Sequence, residues 1–107
     1  VNLSPFAEIS MEVNPGTVDN QYIAEYYQAG INRISFGIQS FDDNHLHAIG
    51  RIHNSKVAFE AIESAQKYFT NINLDLMYGL PNQTLRELES DLDAALKFNT
   101  NHLSLYN

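Results

Sequence analysis

Cysteine and tryptophan are both absent from the 107 residues. Without cysteine the chain forms no disulfide, offers no thiolate to a metal or an iron-sulfur cluster, and has no cysteine nucleophile. Basic residues are scarce: 6 Lys and Arg stand against 13 Asp and Glu, a formal net charge of -7. Such a chain repels a phosphate backbone, so no nucleic acid is expected as a partner, and small molecules or proteins remain. No apolar run approaches the roughly 20 residues that span a bilayer, so no membrane span is expected. Nothing at the N-terminus has the form of a signal peptide, and a cytoplasmic location is the expectation. Low-complexity segments and linkers are missing too. With 44% hydrophobic residues, the chain reads as one domain or a piece of one.

What is present is an alternation of strand and helix patterns. In AEISMEV (7–13), Ala7, Ile9, Met11 and Val13 fall on one face and Glu8, Ser10 and Glu12 on the other, the period of a strand. A turn at Asn14-Pro15-Gly16 leads to Thr17 as N-cap of a helix carrying Ile23, Tyr26 and Tyr27, which Gly30 stops. RISFGIQ (33–39) is a second strand. A short helix follows from about Asp42 to Ile49, closed by Gly50. A longer helix from about Lys56 to Tyr68 has Val57, Ala58, Ala61, Ile62, Ala65 and Phe69 as its apolar face. INLDLM (72–77) is a third strand. After Gly79-Leu80-Pro81, Thr84 and Glu87 form a capping box for a helix marked by Leu85, Leu88, Leu92, Ala95 and Leu96. HLSLY (102–106) is the fourth strand. This order predicts an α/β fold of parallel-strand βα units with right-handed crossovers. The units are too few for a closed eight-fold barrel of about 250 residues, which leaves a slice of a larger barrel or a small open sheet.

Strand parity then selects a set of polar residues. If Ile34, Phe36 and Ile38 face the covering helices, Arg33, Ser35, Gly37 and Gln39 face the other way, as do Glu8, Ser10 and Glu12 in the first strand and Asn73 and Asp75 in the third. Glu12, Gln39 and Asp75 thus share one face near the carboxyl ends of three consecutive strands, the edge at which α/β folds bind ligands. A merely solvated face gives the same spacing. However, parallel strands buried on both sides normally read as continuous apolar runs, so the polar positions favour a site.

The stretches EISMEVNPGT, AGINRISFGIQSF, LHAIGRIH, NLDLMYGLPNQT and HLSLYN, in that order, resemble the radical S-adenosylmethionine (SAM) family of oxygen-independent coproporphyrinogen III oxidase and its heme chaperone relatives. EVNPGT, GIQSF and GRIH resemble the chaperone branch more than the oxidase. The resemblance implies a partial TIM-type barrel of which residues 1–107 are the central part, with the CxxxCxxC loop that binds a [4Fe-4S] cluster lying before it and the C-terminal region after it. It further implies SAM as cofactor, bound in part by Glu12, Gln39, Arg51 and Asp75. Arg51 of GRIH matches an arginine lying against SAM, where a planar guanidinium grips a carboxylate through two parallel hydrogen bonds. Without the motif, Arg51 reads as a solvated loop cation. The implied chemistry is reductive cleavage of SAM to a radical that, in the oxidase branch, leads to decarboxylation of two propionates of coproporphyrinogen III. In the chaperone branch, heme is bound and delivered to an acceptor protein. Porphyrinogen or heme is therefore the expected partner, no catalytic or metal-ligating residue is assigned within the chain, and exposed outer strands make self-association possible.

The remaining features read as structural. Glu8 sits deeper than Glu12. His45, His47, His53 and His102 form no metal-ligand pattern, since His45 and His47, two apart on a helix, point to different faces. Tyr22, Tyr26 and Tyr27 have helical spacing and are expected to pack against the sheet. Gly79-Leu80-Pro81 lacks the glycines and lysine of a phosphate loop and reads as a sharp strand exit aiming Asp75 and Met77 into the site.

Overall fold

In the computed structural model, which describes residues 7–16 and 20–107, the alternation becomes eight elements. They are β1 (Ser10–Val13), α1 (Asn20–Gln28), β2 (Arg33–Gln39), α2 (Asp43–Ala48), α3 (Ser55–Gln66), β3 (Ile72–Met77), α4 (Leu85–Lys97) and β4 (His102–Tyr106). The four strands form one parallel sheet in the order β1-β2-β3-β4. The expected N-cap Thr17 lies outside the described residues.

Each boundary has a local cause. β1 is shorter than its alternating pattern because the Asn32 side chain replaces the strand ladder there. Ile9 N donates to Asn32 Oδ1 (2.7 Å), and Asn32 Nδ2 donates to the Ala7 carbonyl (2.8 Å). Asp42 caps α2 by accepting from Asn44 N and His45 N, and Gly50, at φ +76°, follows the helix end in the left-handed region that side chains disfavour. Asn54 caps α3 through Val57 N. At α4 the capping box is complete: Thr84 Oγ1 accepts from Glu87 N (3.1 Å), and Glu87 Oε1 accepts from Thr84 N (2.8 Å).

All helices that contribute to the core lie against one face of the sheet. Ile34, Phe36 and Ile38 of β2 and Ile72, Leu74 and Leu76 of β3 are buried with Ile23 of α1, Ala58, Ala61, Ile62 and Ala65 of α3, and Ala95 of α4. Removing this apolar surface from water is the main force holding the layers together. The apolar stripe of α4 differs from expectation: Leu85 and Leu96 are 72% and 66% exposed, whereas Asp91 is buried. Residues 88, 91, 92 and 95 form the inward stripe, and hydrogen bonds described below hold the carboxylate inside it. The tyrosines of α1 also differ. Tyr22 is exposed and Tyr26 packs at the core margin. Tyr27 lies against Tyr68 and Phe69 (ring centroids 5.8 and 5.6 Å), because those rings and not the sheet meet that side of α1. Among the described residues no helix is long and apolar enough to cross a membrane.

Candidate functional site

The opposite face of the sheet carries the polar parity set, and at its carboxyl edge a cleft of about 270 Å³ opens. Its lining brings together Glu12 and Val13 from the end of β1, Ser35, Gly37 and Gln39 from β2, Asp75 from β3, and Arg51 from the loop after α2. All four residues singled out in the sequence, Glu12, Gln39, Arg51 and Asp75, therefore meet in one place. Register explains the meeting: Glu12 pairs with Ser35, and Asp75 with Gly37 two residues further along β2, so adjacent strands deliver their side chains to one face within two residues of each other. Gly37 is the open floor between them. A Cβ there would lie 3.3 Å from Gln39 Nε2 and 3.5 Å from Arg51 Nη2, so the glycine keeps space that any side chain would fill.

Gln39 is not a simple strand end. The β2–β3 register shifts between Gly37 and Gln39, and Gln39 has φ +71°, a left-handed conformation uncommon for a residue with a side chain. The flanking residues are held from several sides. Arg51 Nη2 donates to the Gly37 carbonyl (3.0 Å). The His53 ring donates from Nε2 to the Ile38 carbonyl (3.0 Å), and burial is the chief reason its pKa lies below the ordinary value, which keeps the ring neutral. On the far side, Asp91 Oδ2 accepts from Ser40 Oγ (2.7 Å) and Asp91 Oδ1 from Phe41 N (2.9 Å). Arg51 Nε is buried and has no hydrogen-bond partner among the described residues. A buried guanidinium donor without an acceptor is costly.

Behind Asp75 runs a polar ladder across three strands. Asn73 Nδ2 donates to Asp75 Oδ1 (2.6 Å) and to Ser35 Oγ (2.9 Å), Ser35 Oγ donates to Asp75 Oδ2 over a long 3.4 Å, and Ser104 Oγ of β4 donates to Asn73 Oδ1 (3.1 Å). Ser35 and Asn73 are buried, so this face has an ordered interior.

The family model for the radical SAM superfamily matches residues 2–95. The chain belongs to the radical SAM superfamily. It is 49% identical over 104 residues to the heme chaperone HemW of Buchnera aphidicola subsp. Acyrthosiphon pisum, covering 97% of this chain and 28% of that relative. It is 39% identical over 106 residues to the oxygen-independent coproporphyrinogen III oxidase of Synechocystis sp., covering 98% of this chain and 23% of that protein. Among solved structures it is similar to coproporphyrinogen III oxidase (HemN) from Escherichia coli, a radical SAM enzyme, with TM-score 0.87 and 32% identity over 94% of this chain and 24% of that one. The radical SAM segment thus spans about a quarter of the length of the relatives it matches. Its parallel βα units are a slice of the radical SAM barrel. Membership implies SAM and a [4Fe-4S] cluster as the cofactors of the family.

Other residues of this radical SAM segment fall away from the cleft. Met77 does not line it, because Tyr78 N continues the sheet by donating to the Tyr106 carbonyl (2.8 Å) before Gly79 turns the chain. Glu8 lies 3.8 Å from Arg33 in an exposed ion pair at the opposite end of the strands. His47 and His102 are exposed. His45 is buried, and its Nε2 lies 3.2 Å from Glu87 Oε2 without hydrogen-bond alignment. Asp42, His45 and Glu87 place one ligand-capable atom each within 4.8 Å of one another. Both carboxylates are committed to helix N-termini, whose positive ends oppose a cation, and the Thr84 backbone N–H is the main cause holding the Glu87 carboxyl below its ordinary pKa. A larger groove of about 420 Å³ lies between α4 and the β2–α2 turn, lined by Phe41, Asp42, Phe59, Arg86, Glu87 and Asp91 among others. Sequence reasoning missed Ser35, Asn73, His53 and Asp91 as supports of the cleft. Parity places the first two on the cleft face without singling them out. Asp91 carried a signal of its own, an acid on the inward stripe of an amphipathic helix.

Proposed function

We propose that residues 1–107 supply part of the SAM-binding wall of a radical SAM protein that handles tetrapyrroles. One observation carries this reading: Glu12, Gln39, Arg51 and Asp75, drawn from three strand ends and a loop, line a single cleft. The donor set fits SAM. Arg51 would take the α-carboxylate, as its planar fork suits that geometry. The exposed Glu12 carboxylate would accept from the ammonium, Asp75 from the ribose hydroxyls, and Gln39 can both donate and accept. Gly37 leaves room for a ligand against the sheet. Lacking cysteine, these residues would bind, orient and shield SAM while thiolates elsewhere in the parent hold the cluster. SAM at such a cluster supplies a radical on reduction.

Of the two branches, the heme chaperone is favoured by the names of the similar relatives, seven of which carry it at 35–49% identity, a range that includes the 39% to an oxidase. The oxidase reading, decarboxylation of coproporphyrinogen III, is supported by the TM-score of 0.87 to HemN. The test uses the full-length parent, reconstituted anaerobically. Arg51→Ala is expected to weaken SAM binding about ten- to a hundredfold, the worth of a charged hydrogen bond, and unchanged affinity would refute the site. Supplied with coproporphyrinogen III, SAM and reductant, the chaperone forms no protoporphyrinogen IX but passes bound heme to an acceptor. Accumulation of protoporphyrinogen IX assigns the oxidase branch instead.

A further inference from the structure

Asp91 lies on α4, in the βα unit that follows the one begun by β2, and outside the lining of the cleft. Yet both of its carboxylate oxygens are spent on the two residues that follow Gln39, Ser40 and Phe41. Ser40 is fully buried, and its Oγ also accepts from Asp42 N (3.0 Å), so one hydroxyl links the α4 carboxylate to the residue that caps α2. The Phe41 ring is stacked on Phe59 of α3 at 5.1 Å and lies 6.2 Å from Phe98 at the C-terminal cap of α4. The turn is therefore fixed by its side chains, its backbone and its rings at once. Immediately before it, Gln39 occupies a left-handed conformation at a register break, an arrangement that persists only where surrounding contacts over-determine it.

We infer that Asp91 is a positioning residue for the SAM cleft: from the back of the sheet it holds the 40–41 turn so that Gln39 leaves β2 left-handed and presents its amide to the ligand. This inference rests on the SAM reading of the cleft. If the carboxylate were removed, Ser40 Oγ and Phe41 N would lose their acceptor, the turn could relax toward extended backbone, and Gln39 would swing away from Gly37 and Arg51. The effect is transmitted through one residue, which makes it separable from a general loss of stability.

The experiment measures SAM affinity by calorimetry, and melting without SAM, in the full-length parent. The variants are Asp91→Ala, Asp91→Asn, Gln39→Ala and the double variant Gln39→Ala/Asp91→Ala. Asp91→Ala is expected to weaken SAM binding about tenfold. Asp91→Asn keeps an acceptor for Phe41 N and should recover most of that loss. In the Gln39→Ala background, removal of Asp91 should change affinity by less than about twofold, because the residue it acts through is gone. A lowered melting point with unchanged affinity, or losses that add in the double variant, would overturn the inference. If Gln39→Ala alone left SAM binding intact, both the inference and the site reading would fall, and that single variant would identify the site reading as the one at fault.

Discussion

Replacing Asp75 by Ala in the full-length parent separates a ligand acceptor from a structural polar residue. Its carboxylate stands at the cleft with two protein partners, Asn73 Nδ2 at 2.6 Å and Ser35 Oγ at 3.4 Å. The change removes the short bond from Asn73 Nδ2, which keeps its second bond to Ser35 Oγ at 2.9 Å, while the Ser35 hydroxyl loses an acceptor held only at a long 3.4 Å. The loss without ligand is therefore near that of one ordinary hydrogen bond, about 1 kcal/mol. In a parent about four times the length of this segment, that lowers the melting temperature by about 2 °C or less. With SAM bound, the same carboxylate would accept hydrogen bonds from ribose hydroxyls, and a hydrogen bond to a charged group is worth about 1.5–3 kcal/mol. Affinity should fall about ten- to a hundredfold. Calorimetric titration with SAM, run beside melting of the SAM-free protein, reads both quantities. Unchanged affinity with a clearly lowered melting point would show that Asp75 serves the ladder alone, and would refute the ribose assignment.

Gly37→Ala places a methyl 3.3 Å from Gln39 Nε2 and 3.5 Å from Arg51 Nη2, so SAM affinity should drop by about tenfold with little change in melting; equal affinity would mean the ligand does not use this floor. The pKa of His53 is lowered from 6.5, first by burial, so below that value the unfolded chain takes up the proton more readily than the folded one. Stability should therefore fall as pH drops through about 6.5, and His53→Gln should flatten that dependence between about pH 7.5 and 5.5 in thermal melts; parallel curves for the two proteins would contradict the neutral buried ring. Thr84→Ala breaks the capping box of α4 and should cost about 1 kcal/mol in denaturant unfolding, while SAM affinity stays unchanged because Thr84 is remote from the cleft lining.

Much of the fold was legible because its signals are local. Alternation with period two in EISMEV and INLDLM marks which side chains share a face, and the same parity carried Glu12, Gln39 and Asp75 to one edge. Thr84 with Glu87 announced a helix start that the structure reproduces bond for bond. Arg51 was reached only through its motif, since nothing about a lone loop cation predicts that its guanidinium folds back onto the Gly37 carbonyl.

Other features depend on which element packs behind which strand end, and no local pattern encodes that. β1 stops short because a side chain from the neighbouring loop, Asn32, substitutes for the ladder. Leu85 and Leu96 belong to the apolar pattern that marks α4 yet lie in the open, while the acidic Asp91 is buried, because the turn after β2 presents an N–H and a hydroxyl to that stripe of α4. The sequence by itself determined the elements, their order and the polar edge, all of which follow from periodicity and capping along the chain. Only the tertiary structure decided how that edge becomes a cleft. The left-handed Gln39, the neutral His53 and the Arg51 Nε left without a partner among the described residues arise from contacts between segments distant in sequence, where burial removes the water that would otherwise satisfy each polar group.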